Sequence, residues 1–377
     1  AGLVPAFCGM GDGINFLAGA ICFEVFEKLK VESKIFEDKR PVIEPEALKR
    51  VYDQMIIDSS IEYALEVKLV ATTKQGENIT SAIFSGGDGL FAVKASVFID
   101  CTGNGDLAAM AGAPYRKGNE QGTVMPSSLC SMWSGINWDE FYDAKPDILQ
   151  LLLKAIDEEF FAIPDRHHTG MRRTGKSFAS ANMGHIFNMD ATDFRALTKG
   201  WIEGRRLLPE LTNFYRSYVP GFADAELVAS AQSMGIRESR RIMADYILNL
   251  EDFKNRASFP DEIGRFAYSV DIHPLDPSVE EFERFRKDFL SDLRYKTGES
   301  YGVPYRILTP QKLSNTLVAG RCVSADQSMI ASIRVMPGCF LTGQAAGYAA
   351  VLALQNDNNV REIPIEQIKE YMAKNNM

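Results

Sequence analysis

Histidine is scarce in this chain, with four in 377 residues. Its six cysteines (Cys8, Cys22, Cys101, Cys130, Cys322 and Cys339) stand far apart, and no two form a C-x-x-C pair. These shortages argue against a zinc-finger or zinc-ribbon framework, so no metal is expected. The wide cysteine spacing also gives no reason to expect a disulfide scaffold, and buried free thiols are the expectation. No run of eighteen apolar residues occurs, so no membrane span is expected. Positive charge is in deficit: 41 Lys and Arg face 50 Asp and Glu, a net charge of −9. That balance argues against nucleic acid or an anionic membrane surface as the main partner. No tandem repeat or low-complexity run is visible, nor is a signal peptide, and the sequence leaves the compartment open.

What is present is ordinary in bulk and specific in places. An apolar share of 46% and a charged share of 24% suit a globular protein. The length allows two domains, each with its own core. The most informative stretch runs from Leu313 to Leu354. It reads as a short apolar strand at Thr316 to Ala319, a Gly320-Arg321 turn, a polar loop and a long helix rich in small residues. Such a strand–turn–helix lets a bulky cofactor approach the backbone, and a helix start offers unpaired N–H groups.

Helical spacing predicts helices at Asp12 to Lys30, from Glu44-Pro45 to Ile57, and at Asp139 to Phe161. Further helices are predicted at Asp190 to Arg206, Ala223 to Met234, Arg237 to Leu250 and Ser278 to Leu293. Ile61 to Leu65, Val67 to Thr73, Ile79 to Ser85 and Gly89 to Val93 read as a small antiparallel meander. Ala95 to Asp100 is the strongest buried-strand signal. Residues 115–301 are rich in aromatic and charged residues, and strand–turn–helix logic resumes at about residue 302. The expected organisation is therefore a discontinuous α/β domain of residues 1–114 and 302–377, with residues 115–301 inserted as a substrate or cap domain.

Four places carry candidate chemistry. Gly103, Gly105 and Ala108 match G-x-G-x-x-A between a strand and a helix. That pattern admits a nicotinamide dinucleotide site, a plain glycine turn, or a turn beside another cofactor. Arg237, Arg240 and Arg241 crowd the string GIRESRR and suit an anionic substrate or phosphate; the alternative is a solvated helix face paired with Glu238 and Asp245. His273 sits in the Pro-bounded loop Asp271-Ile272-His273-Pro274, a setting for an acid/base group or for a structural histidine. His167 and His168 read as exposed loop, and His185 has no obvious partner. Arg321 and Arg334 flank the loop before the last long helix, where Gly343, Gln344, Ala345 and Ala346 leave little side chain; close helix–sheet packing is the alternative there.

Taken in order, several strings resemble a family of bacterial FAD-dependent oxidoreductases of the glutathione-reductase-like superfamily. They are FIDCTGNGDLAAMAGAPYRKG, MGHIFNMDATD, YVPGFADAELVASAQSMGIRESRRIMADYIL, FPDEIGRFAYSVDIH, and the run from Val303 to Ala353. The resemblance implies a Rossmann-like FAD domain, interrupted by an α+β substrate domain. It puts Thr102 and Gly103 by the adenosine side of FAD, and Gly320 and Arg321 near the ribitol and pyrophosphate. Gly343 to Ala346 would form a helix N-terminus by the flavin, with Arg334 among the cofactor contacts. Arg237, Arg240 and His273 would line the substrate cavity as catalytic candidates. The family's opening strand, G-x-G-x-x-G turn and second strand find no counterpart here, and Gly2 matches the loop after them. The expectation is an FAD enzyme taking a hydride from a small polar substrate such as a carbohydrate or a hydroxy acid, with FAD binding weak or absent in this chain as written. Two alternatives stand beside it: a catalytically silent binding or assembly domain, and an NAD-dependent dehydrogenase using Gly103 and Gly105.

Overall fold

A computed structural model describes Leu3, residues 6–33 and residues 42–375. Gly2 lies outside the described residues. Helices α1 (Ala20–Glu32) and α2 (Pro45–Asp58) pack through Val25, Leu29, Ala47, Leu48 and Val51, with Phe7 and Ile43 beneath them. The helix expected from Asp12 starts only at Ala20. Asp12 Oδ1 instead accepts from the backbone N–H groups of Ile14 (2.8 Å) and Asn15 (2.7 Å). This local turn competes with helix, as short acidic side chains do.

Strands β1 (Lys68–Gln75), β2 (Asn78–Gly86) and β3 (Gly89–Val93) form the expected antiparallel meander. Ile61 to Leu65 is exposed and forms no strand. Strand β4 (Phe98–Asp100) then leads into the short helix α3 (Asp106–Met110) and strand β5 (Tyr115–Arg116).

Beyond it, strands β6 (Ser127–Ser128) and β7 (Ser131–Ser134) precede helices α4 (Trp138–Ala144) and α5 (Ile148–Asp157). Strands β8 (Met171–Arg173), β9 (Ala179–Ala181) and β10 (His185–Ile186) lead to the long helix α6 (Phe194–Tyr218) and strand β11 (Glu226–Ser230). A four-stranded sheet in the order β11-β7-β9-β8 lies in this region. Trp133, Leu152, Phe214, Tyr215 and Phe222 fill its core beneath α5 and α6. The helix expected at Ala223 to Met234 is this edge strand. Its residues pair with β7 from Glu226↔Ser134 to Ser230↔Ser131, so tertiary pairing overrides the helical spacing.

The helix expected at Arg237 to Leu250 is also absent. That stretch is extended, with strand β12 (Arg241–Ile242) pairing with β5. Helix α7 (Leu250–Lys254) follows, then strand β13 (Glu262–Phe266), helix α8 (Val279–Lys287) and strand β14 (Tyr301–Pro304), which pairs with β13. Strand β15 (Thr316–Val318) pairs in parallel with β4, in the register Phe98↔Thr316 to Asp100↔Val318. Asn315 locks this pairing to the meander. Its Oδ1 accepts from Ile79 N (2.9 Å), and its Nδ2 donates to Ile79 O (2.9 Å) and Ser96 O (3.0 Å).

Helices α9 (Gln327–Ile333) and α10 (Met336–Ala353) meet at a 91° bend, and α11 (Ile365–Asn375) packs on α10. Helix α10 runs through the largest core cluster, with Leu341, Ala345, Ala346, Ala349, Leu352 and Ala353 buried against Tyr301, Val303, Leu317 and Val323. Its small residues let neighbours approach the helix closely. No single described helix is long and apolar enough to cross a membrane.

Candidate functional site

The ends of β4 and β15 open onto two loops that meet. Asp100, 1% exposed, organises the first. Its Oδ1 accepts from Thr102 N (3.0 Å) and Thr102 Oγ1 (2.7 Å), and its Oδ2 accepts from Ala108 N (2.9 Å). Thr102 Oγ1 accepts from Asp106 N (2.8 Å), so this hydroxyl is committed to the turn and the start of α3. Gly103 (φ +75°) and Gly105 (φ +65°) adopt left-handed backbone. A Cβ on Gly103 would stand 2.4 Å from Arg321 Nη2, and one on Gly105 would stand 2.7 Å from Ile242 Cδ1. Both glycines therefore make room for side chains of this chain. The G-x-G-x-x-A pattern is a packed turn, and nothing in its geometry favours a nicotinamide cradle.

The second loop carries Gly320 (φ +77°), whose N–H donates to Thr342 Oγ1 on α10 (3.0 Å). From it Arg321 reaches back over Gly103. Its Nη2 lies 3.3 Å from Asn104 Oδ1, while Nη1 is sealed from solvent with no partner. Burial pushes this guanidinium below its ordinary range. The sequence places Gly343, Gln344, Ala345 and Ala346 at a helix start, but α10 begins at Met336 and these four lie inside it. Ala345 and Ala346 are fully buried, and Gln344 Oε1 accepts from Ile21 N on α1 (3.1 Å). They pack helix against helix. Gly343 alone of the four leaves free space beside its Cα.

A second polar centre lies deeper. All the histidines of this chain meet there: His167, His168, His185 and His273. His185 Nε2 and His273 Nδ1 are 2.8 Å apart. Asp165 Oδ2 lies 3.2 Å from His185 Nδ1, and Asp271 Oδ2 lies 3.4 Å from His273 Nε2. His273 is only 3% exposed, so the DIH loop does not present a free imidazole to solvent. Desolvation, with Arg237 next, holds His273 well below the ordinary imidazole range. Desolvation, with His273 next, does the same to His167. Burial alone would raise the Asp165 carboxyl, but neighbouring His185 carries it below the usual carboxylate range. The expectation of an exposed His167-His168 loop is corrected: both residues are half-buried, and His167 Nε2 and His168 Nδ1 are sealed without partners. His185, without a partner in sequence, hydrogen-bonds His273 through Nε2, and its Nδ1 faces Asp165 without hydrogen-bond alignment.

Two arginines border this centre. Arg237 is 5% exposed; its Nη1 donates to Pro126 O (2.9 Å) and Ser128 Oγ (3.0 Å), and its Nη2 to Asn182 Oδ1 (3.2 Å). Burial lowers its pKa to about 10. Arg334, at the end of α9, donates from Nη2 to Asp271 O (3.1 Å), and its Nε is sealed and unpaired. It lies within electrostatic reach of Arg237, His273 and Arg321, and so sits between the two centres. Arg240 does not join them. Its Nη1 donates to Asp106 Oδ1 (2.7 Å) beside α3. Because GIRESRR is extended, its side chains diverge: Arg237 to the histidines, Ser239 to Asn104, Arg240 to Asp106, and Arg241 to Glu238.

A model of the FAD-dependent oxidoreductase family matches residues 1–372. The chain belongs to that family. Among solved structures it is similar to a geranylgeranyl bacteriochlorophyll reductase-like protein from Thermoplasma acidophilum, at 9% identity and TM-score 0.42, over 89% of this chain and 60% of that one. It is also similar to a triple mutant of the flavin-dependent brominase Bmp2, at 10% identity and TM-score 0.38, over 89% of this chain and 61% of that one. L-proline dehydrogenase from P. horikoshii matches at 9% identity and TM-score 0.34, with 89% and 61% covered. The chain thus spans about 60% of the length of these structures. Likenesses this remote say nothing about which residues act. No curated protein matches the chain significantly.

FAD is the cofactor of this oxidoreductase family, and the Arg321 corner suits an anionic part of it. A guanidinium with one sealed, orphaned N–H, set between two left-handed glycine turns, has no ion-pair partner among the described residues. A phosphate oxygen would complete it. The residues that sequence reasoning missed are acidic: Asp100, Asp165 and Asp271. Two of them carried a signal, since Asp165-x-His167 and Asp271-x-His273 repeat one D-x-H pattern in a chain with few histidines.

Proposed function

We propose that this family member takes a hydride from a small hydroxylated acid and passes it to FAD. The observation that carries this reading is the row of arginines from Arg321 at the glycine turns, through Arg334, to Arg237 at the histidine centre; among the described residues, the first two each keep one sealed N–H without a partner. Flavin, when bound, supplies the hydride acceptor. Arg321, with Gly103 leaving it room, would hold the cofactor's phosphate charge. Arg237 and Arg334 would hold a substrate carboxylate, and His273 with its neighbours would handle the hydroxyl oxygen. A carbohydrate suits the same polar chamber but adds no negative charge to set against Arg237 and Arg334 beyond that of Asp271, 3.5 Å from Arg334, which favours the acid. The glutathione-reductase-like, Rossmann-type domain would comprise residues 1–114 and 302–377, and residues 115–301 the inserted substrate domain. The parallel β4–β15 pair, which joins residues far apart in sequence, supports that division.

The test uses the full-length protein, titrated with FAD and then mixed anaerobically with panels of hydroxy acids and neutral sugars. Loss of the oxidised flavin spectrum with a hydroxy acid is expected. Bleaching by sugars alone would refute the substrate class, and failure of the wild-type protein to bind FAD would refute the reading as a whole.

A further inference from the structure

The histidine centre has features that holding a substrate does not explain. His167, His185 and His273 place ligand nitrogens within 4.8 Å of one another. They come from three separate segments, and their ring centroids are 4.6 to 5.2 Å apart. The His185–His273 hydrogen bond satisfies one nitrogen of each ring. It leaves His167 Nε2 and His185 Nδ1 sealed from solvent and, among the described residues, without a hydrogen-bond partner. A buried polar atom left unpaired is costly, so an orphan in a cluster of potential ligands calls for a missing partner.

The carboxylates point the same way. Asp165 Oδ2 lies 3.2 Å from His185 Nδ1 and Asp271 Oδ2 lies 3.4 Å from His273 Nε2, close enough for charge attraction but not aligned as hydrogen bonds. The remaining nitrogens, His185 Nε2 and His273 Nδ1, are thereby turned toward each other. Metal-binding imidazoles are commonly oriented by a carboxylate at the opposite ring nitrogen. Asp165 also accepts from the backbone N–H groups of His167 (3.0 Å) and His185 (3.2 Å), which ties two of the three segments together. A groove of about 200 Å³ lined by Arg166, His167, His168 and Phe285 reaches the cluster from outside. A smaller cavity of about 10 Å³ adjoins Asp165, His168 and His185.

We propose that His167, His185 and His273 bind one divalent transition-metal ion of the zinc class. Three imidazole nitrogens at about 2.0–2.1 Å from a tetrahedral ion stand roughly 3.3 Å from one another. The 2.8 Å pair must therefore open by about 0.5 Å and the widest separation close by about 1.5 Å, which side-chain rotation supplies. Three protein ligands leave a fourth position open, the arrangement of catalytic rather than structural zinc. The charges of Asp165 and Asp271 oppose those of Arg237 and Arg334. An added dication therefore favours an anionic oxygen at the open position. That use of the ion rests on the flavin-dependent reading above; metal binding itself does not.

The test is to strip the full-length protein with a chelator and titrate it with Co²⁺ alone. Visible absorption reports tetrahedral nitrogen ligation, and metal analysis after desalting gives stoichiometry. The expected result is one Co²⁺ per chain, displaced by Zn²⁺, with affinity reduced at least tenfold in His167→Ala and in His273→Asn. Circular dichroism melts confirm that the variants fold, and the half-buried His167 makes its variant the safer of the two. Less than a tenth of an equivalent bound by the wild type, or unchanged affinity in a folded His167→Ala, overturns the site. Flavin content is measured on the same samples. Metal without flavin refutes the flavin reading alone, and flavin without metal refutes the metal site alone.

Discussion

Glu238 offers the sharpest test of how the core holds the site. Its side chain is fully buried and paired with Arg241, itself 6% exposed at the side chain. Glu238 Oε2 also accepts from Met125 N (2.9 Å) and Gln327 Nε2 (2.8 Å). Arg241 donates from Nε to Ala325 O (3.0 Å) and from Nη2 to Gly118 O (2.8 Å). Burial pushes the guanidinium below its ordinary range, and Glu238 counters this. Removing one partner of such a pair leaves a buried charge uncompensated, at about 3–5 kcal/mol. Glu238→Ala is therefore expected to lose about 4 kcal/mol. With roughly 2.1 cal/mol/K of unfolding entropy per residue over 377 residues, that lowers the melting temperature by about 5 °C. Glu238→Gln keeps the shape and an acceptor for Met125 N, and is expected to lose about half as much. Glu238→Ala with Arg241→Ala removes both charges and should fall short of the summed single effects by about 2 kcal/mol. Urea unfolding of the four proteins measures this coupling. Additivity within about 0.5 kcal/mol would show that the pair is not coupled and that burial does not set its energetics.

Other expectations follow from the same contacts. Arg321→Ala removes the incompletely paired guanidinium and should weaken FAD binding at least tenfold in a fluorescence titration, with little change in the melting temperature. Trp133 is fully buried and donates from Nε1 to Ser131 Oγ (2.7 Å); Trp133→Ala should lose about 3–5 kcal/mol in urea unfolding. Asn315→Ala leaves Ile79 N, Ile79 O and Ser96 O unpaired, and at about 1–3 kcal/mol each it should destabilise the meander by several kcal/mol, read by hydrogen exchange at Ile79. Burial alone would raise the Asp190 carboxyl, but hydrogen bonds from Lys117 and Thr192 bring it below 3.8. Its contribution is present above the unfolded carboxylate pKa and lost as pH falls through the lower folded value. Asp190→Asn should therefore flatten the acid limb of a stability–pH curve.

The meander, the parallel strands β4 and β15, and the apolar helix α10 were legible because each is a local pattern: alternation and Gly turns in the meander, short continuous apolar runs in β4 and β15, and a long apolar small-residue run in α10. The two helices expected between Ala223 and Leu250 were not. There, charged side chains recur at helical spacing, yet each finds its own buried partner on a different neighbour. One helix face could not reach Asn182, Asn104, Asp106 and Ala325 at once. The helix start by Gly343 was misplaced for a related reason. A small-residue run marks close packing wherever it lies on a helix, whereas the bend at Arg334-Val335 and Pro337 mark the start. The histidine centre was half legible: His273 stood out by its loop, but the convergence of four histidines depends on long-range folding that spacing does not encode.

The placement of Arg334 ties the two centres into one argument. It is a cation within reach of Arg321 on one side and of Arg237 and His273 on the other; Asp271 Oδ2, 3.5 Å from its Nη2, offsets it in part, and its Nε has no partner among the described residues. Like charges held together in a poorly solvated interior raise one another's energy. An anion placed at Arg321 relieves Arg334 as well, and an anion at Arg237 does the same from the other side. Either anion therefore changes the field felt by the other. Two anions brought closer together also repel, so the sign of coupling depends on whether relief at Arg334 exceeds that repulsion. Neutralising Arg334 separates the two terms. In Arg334→Met the relief is gone and only repulsion remains, so bound FAD should weaken binding of an anionic substrate more than it does in the wild-type protein. Because linkage is reciprocal, the same change must appear in FAD affinity measured with and without that substrate.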